Sequence, residues 1–284
     1  MLQPVSTTRT LHLPTGRAIP AIGQGTVRMG VNQSKRAEEI TALRLGLDLG
    51  LVLIDTAEMY ADGGAEDVVG EAIYGRREEV FLNSKVLPNN ATLKGTIEAC
   101  ERSLKRLKTD YLDLYLLHWR EDVPLEETLD ALQALKRAGK IRDYGVSNFE
   151  VSDMEDARAL NGGEEIVTNQ VFYNLSHRGV EWDLLPWSRM RGLPIMAYSP
   201  LDEGKLAKKR TLKPIAARHG VSPAQVALAW LLGQDGIVVF PKASNPDHVR
   251  ENRAALDLKL TDEDLKDLDQ TFRPPRKKVK LQSR

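Results

Sequence analysis

The chain has 284 residues, with forty basic and forty acidic side chains and a formal net charge of zero. That length exceeds the usual domain, yet α/β barrels of about 250 residues are routinely one domain with ample core. Charge is balanced, and no long block of one sign precedes the C-terminal tail, which excludes a nucleic-acid footprint and leaves small neutral or anionic partners.

In chain order, the first residues, MLQPVSTTRTLHLPTGR, carry no apolar signal core. TLHLPTGRAIPAIG, from residue 10, has two short extended runs around PTGR and predicts a hairpin capping one end of the fold. Short aliphatic or β-branched runs then recur: AIGQGT at 21, LVLID at 51, EVFLNSK at 79, YLDLYLLH at 111, IRDYGVSN at 141, IVTNQVFY at 166, LPIMAYSP at 193 and GIVVFPKA at 236. Between them lie segments with apolar residues three and four apart, such as SKRAEEITALRLGLDLG at 34, TLKGTIEACERSLKRL at 92 and PLEETLDALQALKRAG at 124. Ser34 is expected to cap the first of these, Pro124 to open the third and Gly139 to end it. The apolar run LGLDLGLVLI is broken by Asp48, so no membrane span is expected. Cys100 is the only cysteine, which excludes an internal disulfide, and it has no ligand-spaced Cys or His neighbours for zinc. A reducing, cytoplasmic location is expected. Eight strand and helix alternations predict parallel strands joined by crossover helices. The expected fold is a closed (β/α)8 barrel of the TIM type with an N-terminal hairpin cap, a single domain over residues 1–284. RPPRKKVKLQSR closes the chain, and residues 273–284 read most simply as a solvated basic tail.

Barrel enzymes place their chemistry at the carboxyl ends of the strands. There the second predicted strand carries Asp55, the third Lys85, the fourth His118 and Trp119, and the fifth Ser147 and Asn148. Gln170 lies in the sixth, Tyr198 and Ser199 end the seventh, and Lys242 ends the eighth. Taken singly, each has an ordinary explanation: Asp55 as a helix N-cap, Tyr60 as a rim aromatic, His118 as a satisfied core histidine. Lys85 is harder to dismiss, because an inward-facing ammonium needs a partner. A Schiff-base nucleophile is one reading of it. Together the four define a proton donor. A carbonyl that accepts a hydride develops negative charge on oxygen, and an ammonium beside a phenol of pKa about 10 stabilises the phenolate and lowers that value. On this reading Lys85 tunes Tyr60, Asp55 keeps Lys85 charged, and His118 donates to the substrate oxygen.

With these residues in place, the sequence resembles the aldo-keto reductases over nearly its whole length. LIDTAEMY is similar to the family's first signature, LNSK supplies Lys85 and LDLYLLHW supplies His118. GVSNF, TNQVFY, MAYSPL and FPKASNPDHVREN follow in the order of the cofactor signatures. Within the family the chain is similar to bacterial reductases of the methylglyoxal-reductase type, which share TAEMYADGGAE. The resemblance implies NADPH-dependent reduction of small aldehydes, ketones and dicarbonyls. It implies that Ser147, Asn148 and Gln170 hold the carboxamide and that Tyr198 stacks on the nicotinamide. Gly25, Thr26, Val27 and Asp55 would lie at the nicotinamide ribose, and Ser199, Pro200, Leu201 and Gly204 along the pyrophosphate. Lys242, Ser244, Asn245 and His248 would meet the adenosine 2′-phosphate, with Glu251 and Asn252 near the adenine.

Two departures follow from the comparison of motifs. His248 stands where many relatives have arginine, and histidine is only partly charged near pH 7, which weakens the expected NADPH preference. Arg250 lies off the family position and a helix turns it away by about 200°. Val27 stands where many relatives have tryptophan, so a pocket of Val27 with Trp119 is expected to be roomier.

Other signals have plainer readings. GQGTVRMG lacks the spacing of a dinucleotide-binding motif and reads as a tight turn. LTDEDLKDLD lacks a calcium hand's glycine and reads as a helix capped by Thr261. The five histidines have no paired spacing, so no metal is expected. Trp182 and Trp187 are expected to pack. The tail reads either as a cover for the mouth or as a disordered end. Besides the reductase, a non-catalytic NADPH-binding subunit and a Lys85 aldolase remain open, and a monomer is expected, bound only to a small carbonyl substrate.

Overall fold

The structure, a computed structural model, describes residues 9–283; the reading of the first eight residues and of Arg284 falls outside them. Strands β1 (Thr10–His12) and β2 (Ala18–Pro20) pair antiparallel, Thr10 opposite Pro20, as the hairpin expected around PTGR. Eight strands follow, each parallel to the next: β3 (Gly23–Gly25), β4 (Leu53–Asp55), β5 (Phe81–Val86), β6 (Leu112–Leu117), β7 (Ile141–Ser147), β8 (Ile166–Phe172), β9 (Ile195–Tyr198) and β10 (Ile237–Val239). The sheet closes on itself. Val239 N donates to Ala21 O at 2.9 Å and Gly25 N to Pro241 O at 3.2 Å, joining the last strand to the first. The (β/α)8 barrel and its hairpin are therefore as the alternation predicts.

Closure explains the glycines of GQG. A Cβ on Gly23 would meet Leu53 O at 2.4 Å and one on Gly25 would meet Phe240 O at 2.6 Å, so the first strand packs against its neighbours only without side chains there.

Helices α1 (Arg36–Asp48), α2 (Gly64–Ala72), α3 (Leu93–Leu107), α4 (Leu125–Arg137), α5 (Val151–Arg158), α6 (Leu184–Met190), α7 (Lys213–His219), α8 (Pro223–Gly233), α9 (Pro246–Ala254) and α10 (Asp262–Thr271) connect or flank the strands. Pro124 precedes α4 and Gly139, at φ +74°, follows it, as expected. Thr261 caps α10 and exchanges hydrogen bonds with Asp264. Ser34 is not the first cap: Asn32 accepts from Ser34 N, and a single tight turn at Gln33–Lys35 precedes α1. Trp187 is buried, whereas Trp182 stays nearly half exposed. None of the described helices is long and apolar enough to cross a membrane.

The core divides in two. Outside the strands, aliphatic residues pack against the helices. Inside, Leu53, Phe81, Leu114, Leu116, Val167, Met196, Val238 and Phe240 fill the barrel, and Leu13 and Ile19 of the hairpin pack onto them. The hairpin thus plugs the amino-terminal end and leaves chemistry to the opposite mouth. The tail is not free: Lys278 pairs with Glu150 at 3.3 Å and Asp183 at 3.1 Å, Leu281 N donates to Glu150 at 3.0 Å, and Val279 and Leu281 line a small cavity with Phe172 and His177.

Arg17 fastens the plug. Its guanidinium reaches Asp113 at 2.8 Å and Asp143 at 2.9 Å, both carboxylates lying nearly buried beneath it. Without Arg17, buried Asp143 loses its cation, whereas Asp113 keeps Arg77 at 2.8 Å. Arg17→Ala is therefore expected to destabilise the chain by about 2–3 kcal/mol, read as a lower urea midpoint at unchanged m.

Candidate active site

At the mouth, four side chains from three successive strands and one loop converge. Lys85, on β5, is completely buried, and its Nζ donates to Asp55 Oδ2 at 2.9 Å, Thr56 O at 2.8 Å and Tyr60 OH at 3.4 Å. Asp55 ends β4, paired with Asn83 two residues before Lys85, and the two-residue period of a strand puts Asn83 and Lys85 on the same inner face. Tyr60 follows on the loop that continues β4, where Ala61 and Asp62 take left-handed backbone, φ +53° and +50°, and turn the chain back over the barrel. His118, just past β6, packs edge-on against Tyr60 with ring centroids 5.9 Å apart. The residues around these positions on the three strands are almost all buried, so each polar group of the site is held by a rigid element in a dry surrounding.

The electrostatics follow from that dryness. Burial alone lowers Lys85, but the charges of Asp55 and Tyr60 and its hydrogen bonds outweigh it and leave the ammonium above its ordinary value. Burial raises Tyr60 above its ordinary phenol value; Lys85 pulls it down, Asp55 pushes it up, and the Lys85 hydrogen bond pulls it down again. The expectation that Lys85 brings the phenol below its usual value is thus corrected: in the free cavity, loss of water around the phenolate exceeds the pull of the ammonium. His118 is held at about 3, first by burial and then by Lys85, so its imidazole is neutral, and its Nδ1 has no hydrogen-bond partner among the described residues.

Around this centre opens a cavity of about 700 Å³. Gly25, Thr26, Val27, Asp55, Ser147, Asn148, Gln170, Tyr198, Ser199, Pro200, Leu201, Gly204, Lys242, His248, Glu251 and Asn252 all line it. Tyr198 OH donates to Asn148 Oδ1 at 2.9 Å and Asn148 Nδ2 to His118 O at 3.0 Å, tying the strand ends together. Asn148 and Ser199 sit at φ +62° and +50°, strained conformations concentrated at the cavity wall. Ser244 and Asn245 do not line it: Ser244 accepts from Lys242 Nζ at 2.6 Å, and Asn245 caps α9 through Asp247 N at 2.8 Å. Trp119 packs against His118, centroids 4.9 Å apart, just outside the lining. Arg250 instead reaches back to Asp247 at 3.3 Å, as the helical turn predicts.

Sequence reasoning missed Asn83, Arg28 and Glu203, and missed the contact that Gln170 makes with Asp55. Asn83 Nδ2 donates to Asp55 Oδ1 at 2.5 Å, and Gln170 Nε2 donates to the same oxygen at 2.8 Å. The signal for Asn83 is a polar residue inside an apolar strand, in phase with Lys85. Arg28 and Glu203, opposite lips of the cavity, pair at 3.5 Å. The whole-chain balance of charge also hides a one-signed stretch: residues 204–234 hold six lysines and arginines and no acid.

An eight-stranded parallel barrel with an aspartate, tyrosine, lysine and histidine gathered at its carboxyl mouth beside an elongated cavity defines an oxidoreductase-type barrel site. The sequence matches the Aldo/keto reductase family over residues 21–272. Methylglyoxal reductase YeaE of Escherichia coli K12 is 50% identical over 269 residues, 93% of this chain and 95% of that protein. Glyoxal reductase of Bacillus subtilis is 36% identical over 270 residues, 94% of each. Among solved structures, an aldo-keto reductase from Klebsiella pneumoniae in complex with NADPH superposes with a TM-score of 0.95 at 47% identity, covering 98% of this chain and 100% of that one. The chain belongs to the aldo/keto reductase family.

The depressed His118 value has a consequence for stability. Between its ordinary 6.5 and about 3, the unfolded chain takes up a proton there that the folded chain refuses. This contribution is complete above 6.5 and is lost as pH falls through the window. His118→Asn removes that titration, so its Tm is expected to fall less than wild type between about pH 6.5 and 4 in scanning calorimetry. Parallel curves for the two proteins contradict the neutral imidazole.

Proposed function

We propose that this chain is an NADPH-dependent carbonyl reductase acting on small aldehydes, ketones and dicarbonyls such as methylglyoxal. The observation that carries the reading is the contact of one buried ammonium with both Asp55, at 2.9 Å, and the Tyr60 hydroxyl, at 3.4 Å. Relatives named methylglyoxal and glyoxal reductase, and a neighbour crystallised with NADPH, support it.

The residues fit a dinucleotide. The cavity offers a flat aromatic face at Tyr198, amides at Asn148 and Gln170, and Lys242 with His248 farther from the centre. Burial lowers Lys242, Glu39 opposes this, and Lys35 and Arg28 reinforce it, so two further cations stand near an ammonium that a phosphate could engage. Tyr198 would support the nicotinamide, Ser147, Asn148 and Gln170 its carboxamide, and Lys242 and His248 the 2′-phosphate. NADPH supplies the hydride.

Against the substrate, Tyr60 and His118 act on one oxygen. Neutral His118 donates a hydrogen bond without adding a charge, and orients the carbonyl toward the phenol. Tyr60, kept protonated by burial, gives its proton as negative charge grows on that oxygen. Lys85 then faces a phenolate instead of a phenol, and its attraction is largest in that state, which is how transition-state stabilisation must be placed. Asp55, held by Asn83 and Gln170, keeps Lys85 in position. A charged, fully engaged Lys85 is a poor amine nucleophile, which disfavours the aldolase reading. Val27, nearly half exposed at the cavity lip, leaves room beside the substrate. We read residues 1–284 as one cytoplasmic, monomeric domain with 273–284 as its basic tail.

Tyr60→Phe is expected to lower kcat for aldehyde reduction about 10²- to 10⁴-fold while the NADPH Kd from fluorescence titration stays within about threefold. Retained turnover removes Tyr60 as donor. The kcat/KM ratio of NADPH to NADH is expected to be modest, about tenfold, the worth of roughly one charge-assisted contact. His248→Arg is expected to widen it; equal values for the two cofactors in wild type show that the 2′-phosphate contact is immaterial.

A further inference from the structure

The segment that follows β9 begins as cavity wall, at Leu201, Glu203, Gly204 and Ala207, and continues as KLAKKRTLK, residues 205–213. Leu206 and Leu212 are buried and anchor it, while Lys205, Lys208, Lys209, Arg210 and Lys213 are exposed. Lys205 leans to Asp202 at 3.8 Å, and Arg218, farther on, is committed to Asp264 at 2.6 Å and Asp267 at 2.9 Å. Lys208, Lys209, Arg210 and Lys213 have no carboxylate within 4.0 Å among the described residues. Even with Asp202 and Glu203 at its head, the stretch 202–213 has five cations against two acids. Exposed lysines are ordinary, but in a chain of zero net charge this local excess adjoins the cavity.

Reach makes the excess relevant. Ala207 is wall, and three residues of chain span at most about 10 Å, so the backbone of Lys208, Lys209 and Arg210 lies within a distance of the wall comparable to the Debye length of about 8 Å at physiological salt. Their long side chains are solvated, and attraction between solvated charges acts on encounter more than on the bound state. A ligand bearing a pyrophosphate and a phosphomonoester, the latter adding about −1.5 to −2 near neutral pH, is the partner such a rim attracts most.

We propose that residues 205–213 form a basic landing rim for the anionic dinucleotide. The rim draws NADPH toward the cavity and sets how fast it binds, while Lys242, His248 and the wall set how firmly it is held. This rests on the cofactor reading above. The 2′-phosphate therefore influences selectivity at two places, in the pocket through dissociation and at the rim through association.

The test is stopped-flow binding of NADPH and of NADH to the full chain, followed by protein fluorescence. Ionic strength is raised from about 10 mM to about 150 mM, over which screening shortens from about 30 Å to about 8 Å. The wild-type association rate for NADPH is expected to fall with salt, and more than that for NADH. The triple variant Lys208→Gln, Lys209→Gln, Arg210→Gln is expected to lose about five- to tenfold in association rate at low salt, with dissociation within about twofold and a flatter salt dependence. Charge reversal with glutamate at the same positions lowers it further. Unchanged association in both variants, or a loss confined to dissociation, overturns the rim. Wild type that binds no NADPH at any salt overturns the cofactor reading itself, and the rim with it.

Discussion

The site depends on one ion pair: Lys85 with Asp55, 2.9 Å apart and almost without solvent contact. Either charge alone at that depth is strongly unfavourable, and the pair persists because each partner's remaining hydrogen-bonding capacity is engaged. Lys85 has Thr56 O and Tyr60 OH as further acceptors, and Asp55 has Asn83 and Gln170 as donors. These groups come from β4, β5, β8 and the loop after β4, so the pair also draws distant strands of the barrel into one register.

The same pair acts on Tyr60 and His118. Burial first and Lys85 second hold down His118, and Lys85 partly offsets the burial of Tyr60, so dryness and one cation together keep the imidazole neutral and the phenol protonated. The two effects have opposite uses. In the proposed reaction a neutral imidazole is a hydrogen-bond donor that does not compete for the developing charge, whereas the phenol would part with its proton only when an acceptor appears. A phenol already ionised in the free cavity has no proton to give. The balance in which burial outweighs the ammonium therefore suits a donor better than a strongly lowered value does.

The barrel's two ends divide the labour. At the amino-terminal end the hairpin, Arg17 and the apolar plug secure the fold, and at the carboxyl end left-handed residues such as Ala61, Asn148 and Ser199 collect. Asn83 stands at the boundary, a buried amide between the apolar filling and the ion pair. The tail, tied to Glu150 and Asp183, reinforces the outside of the mouth without lining the cavity.

Much of this was legible in the chain alone. Alternating strand and helix patterns determined the barrel, because a parallel sheet buried on both faces demands apolar runs separated by amphipathic crossovers. Polar residues at the ends of those runs determined Asp55, Tyr60, Lys85 and His118, because strand direction fixes which end faces the mouth. What only the tertiary structure decided concerns neighbours that sequence spacing does not encode. Gln170 reaches Asp55 from 115 residues away, Ser244 accepts from Lys242, Asn245 caps a helix, and Asn32 displaces Ser34 as a cap. The sign of the Tyr60 shift also belongs here. It is a contest between lost hydration and a nearby charge, and both depend on three-dimensional distance and depth.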